Sequence, residues 1–62
     1  MSRLKAARED KGLTQKQLAA ASGINIKSIQ KYESGERDIA KAEVKTVIAL
    51  ADVLEVGVKE IV

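Results

Sequence analysis

Thr14-Gln15-Lys16-Gln17-Leu18-Ala19-Ala20-Ala21-Ser22-Gly23-Ile24-Asn25-Ile26-Lys27-Ser28-Ile29-Gln30-Lys31-Tyr32-Glu33 is the stretch whose reading decides the fold. Thr14 with Gln17 three residues later forms a capping-box pattern, in which a hydroxyl and an amide side chain each satisfy a free backbone N–H at a helix start. The helix that follows, about Gln15 to Ala21, buries Leu18 and Ala19. Gly23 then supplies the positive φ of a tight corner, a conformation in which a Cβ would clash. Asn25 is a good cap for the next helix, which reaches about Glu33 and turns Ile29 and Tyr32 inward, with Ile24 packed just ahead of it. Two helices crossing steeply need a small residue where their backbones come closest, and Ala19 provides it. Leu18, Ile24 and Ile29 bracket the corner and bury the junction.

Outward from this unit the pattern stays helical, with scarcely any two-residue alternation to argue for strands. A first helix is predicted from an N-cap at Ser2 to Lys11, with Gly12 placed to end it and Leu4, Ala7 and Arg8 on one face. Past Gly35, the polar run Gly35-Glu36-Arg37-Asp38 leads to a fourth helix. It starts between Asp38 and Glu43 and ends near Leu54 or Glu55, with Val44, Val47, Ile48, Ala51 and Leu54 at inward spacing. A last helical turn over Val58–Val62 contributes Ile61 to the core. The expected architecture is one all-α domain over residues 1–62, built of five short helices.

The 62 residues contain no Cys, His, Trp, Phe or Pro. Disulfides and thiolate or imidazole metal sites are thereby excluded, as is catalysis by a Cys nucleophile or a His base. Carboxylate pairs such as Glu9-Asp10 do not converge, because adjacent helix positions point apart. Neither a cofactor nor an enzymatic activity is expected. No apolar run reaches the roughly 18 residues of a membrane span, and no signal-peptide pattern is seen, so a location in the reducing cytosol is expected. The overall charge of +2 conceals an asymmetry. Residues 1–31 carry seven cations against Glu9 and Asp10, whereas residues 32–62 carry four cations against seven acids. A basic half facing an acidic half creates a directed field suited to a polyanion on one side.

Thr14 to Glu33 thus has the pattern of a helix-turn-helix, and the chain resembles the Cro and lambda-repressor family of DNA-binding domains, also called the xenobiotic-response-element (XRE) family. The resemblance rests on Arg8, Gly12-Leu13-Thr14-Gln15, Leu18-Ala19, Gly23, Ser28-Ile29, Tyr32-Glu33 with Gly35, and Leu50-Ala51-Asp52 with Leu54, and spans about Leu4 to Ile61. It implies a compact five-helix domain that binds double-stranded DNA as a transcriptional repressor, cytoplasmic, bacterial or phage-encoded and associated with the nucleoid. The third helix would lie in the major groove, with Ile26, Lys27, Gln30 and Lys31 meeting base edges. Gln15 and Asn25, each at a helix N-terminus, would face phosphates, joined by Ser28 and Arg37. Ser28 is short and polar and suits either a phosphate or a base. Arg8 and Glu33 would form a semi-buried structural ion pair, and Ala19 and Gly23 the structural corner.

Two positions leave alternatives open. Ile26 cannot hydrogen-bond; against DNA it packs on thymine methyl groups, and otherwise it is a core or dimer contact. The segment Glu36-Arg37-Asp38-Ile39-Ala40-Lys41 departs from the family's basic loop and proline and is about three residues longer, leaving Arg37 as its cationic anchor and predicting weak non-specific affinity. Val53, Val56, Val58 and Val62 offer a surface for a weak homodimer through the last two helices. A competing reading is an interaction module, antitoxin-like or an adaptor, that keeps the fold without binding DNA. Salt separates the two readings, since phosphate contacts weaken steeply as salt rises and aliphatic contacts do not.

Overall fold

The computed structural model describes residues 2–62, folded into α1 (Arg3–Asp10), α2 (Gln15–Ser22), α3 (Ile26–Ser34) and α4 (Val44–Leu54). Single 3-10 turns lie at Ile39–Lys41 and Val58–Glu60, and no strand occurs among the described residues. The first three helices start on the caps that the sequence predicts. The Ser2 hydroxyl accepts from the Lys5 amide at 3.0 Å. Thr14 Oγ1 accepts from the Gln17 amide at 3.0 Å, while Gln17 Oε1 accepts from the Thr14 amide at 2.9 Å. Asn25 Oδ1 accepts from the Lys27 amide at 2.7 Å. Each bond satisfies an amide that has no carbonyl partner inside its helix.

Gly23 closes α2 in the left-handed region at φ 75° and donates its amide to the Ala19 carbonyl at 2.9 Å. Ser22 reinforces the corner: its hydroxyl donates to the Leu18 carbonyl at 2.7 Å and accepts from the Ile24 amide at 3.2 Å. Helix α2 packs on both α3 and α4, α1 packs on α3, and the Val58–Glu60 turn bridges α1 and α4. Their shared core is Leu4, Leu18, Ile29, Val47, Leu50, Ala51, Leu54 and Ile61. Fully burying each of the large aliphatics contributes about 1.5–3 kcal/mol, most of it offset by chain entropy. The half-buried Leu13, Ala19, Ile24 and Tyr32 pack against this cluster around the corner.

Two expectations need correction. The all-α class holds, but there are four α-helices among the described residues, and the predicted fifth is a 3-10 turn of three residues, Val58–Glu60. The fourth helix starts at the Glu43 end of its expected range, and a separate short turn is built on Asp38. Its Oδ1 accepts from the Ala40 amide at 3.0 Å and caps the separate turn Ile39–Lys41, and α4 starts at Val44 with no side-chain cap from Glu43. Val44 and Ile48, expected inward, are exposed by 73% and 43%, and Leu50 occupies the interior in their place.

Candidate nucleic-acid interface

The geometry of this face begins with a buried clamp. Arg8 Nε donates to Glu33 Oε2 at 2.7 Å and Nη2 to Oε1 at 3.0 Å, a bidentate pair, and Nη1 donates to the Leu13 carbonyl at 2.7 Å. Gln15 Nε2 donates to the same Glu33 Oε1 at 3.0 Å. One carboxylate near the end of α3 therefore holds the end of α1, the connection after it and the first residue of α2. Burial pushes the Glu33 pKa up, but hydrogen bonds from Arg8 and Gln15, with the charges of Arg8 and Lys5, more than compensate and hold it below the usual carboxylate range. The Arg8 pKa is raised, chiefly by its hydrogen bond to Glu33, against burial that lowers it. No buried side-chain polar atom lacks a partner among the described residues. The pair is fully compensated and fixes α2 relative to α3.

Outside the clamp lies a polar face. The free end of α2 presents the Gln15 and Lys16 amides, which have no carbonyl to pair with inside the helix. The Gln15 side chain keeps one N–H beyond the one given to Glu33, because an amide nitrogen has two. Lys27, Gln30 and Lys31 are exposed on α3, with Ile26 and Ser28 half-buried. Lys27 and Lys31 stand four residues apart, one above the other on the helix. Ile26 is not among the apolar side chains packed on the core. Asn25 is exposed and uses its oxygen for capping, leaving its NH2 free.

The eight residues expected to meet DNA lie at the start of α2, on α3 and its cap, and in the loop after α3, and Gln15, Ser28 and Arg37 among them are hydrogen-bonded to other side chains. Gln15 is tied to Glu33, and Ser28 Oγ accepts from Arg37 Nη1 at 3.3 Å. Arg37 lies back on α3, 5.7 Å from the Tyr32 ring centroid, and its amide donates to the Lys31 carbonyl at 3.1 Å. The departing loop is thus strapped to α3. Lys31 Nζ lies 3.8 Å from Glu36 Oε2, so the acidic loop screens one of the two central lysines and leaves Lys27 without an ion pair among the described residues. Sequence reasoning missed the Gln15–Glu33 bond and the Arg37 strap. The only sequence signal for the strap is an Arg five residues after an aromatic residue, across Gly35.

No helix is long and apolar enough to cross a membrane, and no cluster of three potential metal ligands occurs among the described residues. Comparison with protein-family models gives a match described as Helix-turn-helix over residues 4–61. Neither the curated proteins nor the solved structures contain a match to the chain.

Proposed function

The chain belongs to the XRE-type helix-turn-helix family of DNA-binding regulators, and from that premise we infer that it represses transcription by laying the outward face of α3 in the major groove. The observation that carries this reading is the shared anchor at Glu33, which sets the free N-terminus of α2 at a fixed position beside the exposed polar face of α3. Such an arrangement suits a duplex: the α2 amides and the second Gln15 N–H meet one phosphate, while α3 descends to the bases. Lys27, Lys31, Gln30 and Ile26 meet base edges. Asn25, Ser28 and Arg37 flank them as phosphate contacts.

The opposite character is found around Ala40, Ala42, Val44, Val47, Ile48, Val58 and Val62, which line an apolar groove of about 220 Å³. Val53 and Val56 pack on the core and do not contribute to it. This groove is the face for a weak homodimer, which would place two copies on two-fold related half-sites roughly 34–36 Å apart.

Selection from a random duplex library at two salt concentrations tests the reading. A defined site whose affinity falls steeply with salt is expected; absence of any preferred sequence contradicts it. Against the selected site, Lys27→Ala is expected to lose about 1–3 kcal/mol of discrimination at one or two base pairs. Gln15→Ala is expected to weaken all duplexes alike. Identical selectivity profiles for the two variants would overturn the assigned roles.

A further inference from the structure

The side chains of α3 that would enter the groove differ in chemistry from one flank to the other. Lys27 and Lys31 form the central, cationic ridge, and Ser28 with the strapped Arg37 forms one flank. The other flank is Ile26 followed four residues later by Gln30, with no charge on either. Ile26 is the first residue of α3, immediately after the Asn25 cap, and is half-exposed without belonging to the core. An aliphatic side chain outside the core and partly open to solvent thus stands at the leading end of the helix, beside Lys27.

We propose that the Ile26–Gln30 flank reads A·T base pairs, with Ile26 packing on the 5-methyl group of thymine, so that binding responds to pyrimidine 5-methylation. This rests on the groove-reading role of α3 proposed above. In the major groove the thymine methyl is the one apolar group that a base edge presents, and adenine offers N6 and N7 to an amide such as that of Gln30. Residues four apart on a helix are separated by about 6 Å along its axis, close to two base-pair steps of about 3.4 Å. Ile26 and Gln30 therefore address base pairs about two steps apart rather than one base. A 5-methylcytosine presents the same methyl at the same groove position, so methylation of a cytosine placed at the Ile26 step partly restores a site in which thymine has been replaced.

The test starts from the duplex selected at low salt and replaces each thymine in turn by deoxyuridine, which removes only the methyl. One thymine is expected to show a loss of about fourfold in affinity, the equivalent of one buried methyl group. Ile26→Ala is expected to abolish that penalty while retaining the preference set by Lys27, and Ile26→Val to retain part of it. Because Ile26 lies outside the core, both variants are expected to melt with the parent chain. A wild-type protein that selects a site yet binds every deoxyuridine duplex as well as the parent duplex overturns the methyl contact and leaves groove reading standing. An equal penalty in wild type and Ile26→Ala also overturns it. A wild-type protein with no sequence preference at low salt overturns groove reading, and this inference with it.

Discussion

Residues 14–35 and residues 36–62 terminate their helices in different ways. In the first region each helix opens on a side-chain cap and closes on a left-handed glycine, Gly23 after α2 and Gly35 after α3. In the second, α4 opens on Glu43 with no side-chain cap and closes on Glu55 at φ 57°, the only non-glycine residue with positive φ among the described residues. Glu55 also forms an exposed ion pair with Lys11, which lowers its pKa, through the hydrogen bond first and the charge second. The contrast extends to charge. Glu33 in the first region is tied to Arg8 of α1 by a buried, bidentate pair, whereas Glu55 in the second meets Lys11 through an exposed one. Local side-chain chemistry fixes the helix ends of the first region, whereas the second, which supplies Val47, Leu50, Ala51, Leu54 and Ile61 to the core, is placed mainly by packing.

The contrast breaks most visibly at the clamp. Glu33→Ala leaves the Arg8 guanidinium buried without its partner and is expected to cost about 3–5 kcal/mol. That rivals the whole net stability of roughly 3–5 kcal/mol typical of a domain this small, so urea denaturation should find the variant largely unfolded. The double variant Arg8→Met/Glu33→Leu should be markedly more stable than Glu33→Ala; equal stability would show that the charges are not coupled. Since the Glu33 pKa is lower in the folded chain than in the unfolded one, its stabilisation is fully present above the ordinary carboxylate pKa of about 4.3. It is lost as pH falls through the lower folded value, and Glu33→Gln should shrink this acid-induced loss.

A second break contrasts two neighbours on α4. Leu50→Ala is expected to cost about 2–5 kcal/mol through its cavity. Ile48→Ala, at an exposed site, is expected to stay within about 0.5 kcal/mol. Similar melting temperatures for the two would show that the inward face of α4 is misassigned.

These two residues also show where the sequence was legible. Caps and corners depend on residues within four positions of one another, so Thr14, Gln17, Gly23 and Asn25 could be placed from local chemistry alone. The inward face of α4 could not. Val44-Lys45-Thr46-Val47-Ile48-Ala49-Leu50-Ala51-Asp52-Val53-Leu54 is apolar nearly all round, and both the Val44–Val47–Ile48 and the Val47–Leu50–Ala51 stripes have helical spacing. Only packing against α2 chooses between them. The start of α4 could be bracketed only between Asp38 and Glu43, because the cap of a three-residue 3-10 turn uses the same side chain as the cap of an α-helix. At the candidate site, Arg8–Glu33 was legible through family resemblance. Gln15–Glu33 and Arg37–Ser28 join residues 18 and 9 positions apart, and no local rule foretells them.

A third pair of variants sharpens the comparison of helix ends. Gly23→Val forces a β-branched residue to positive φ, at about 1–2 kcal/mol or more, and should lower the melting temperature. Glu55→Gly relieves the same kind of strain and should leave the melting temperature level or raised, despite the loss of the Lys11 pair. A Glu55→Gly variant that melts well below the parent chain would mean that the exposed pair outweighs the backbone.

The central claim is that the clamped α2–α3 side, rather than the apolar groove, faces DNA. Titration of the selected duplex into ¹⁵N-labelled protein, followed amide by amide, tests it directly. The account predicts that the largest shifts fall on Gln15, Lys16 and Asn25 to Lys31, with Arg37 at the edge and the Val44–Ile48 and Val58–Val62 segments little changed at low occupancy. Shifts concentrated on Val44, Ile48 and Val58, with Lys27 and Lys31 unmoved, would contradict it.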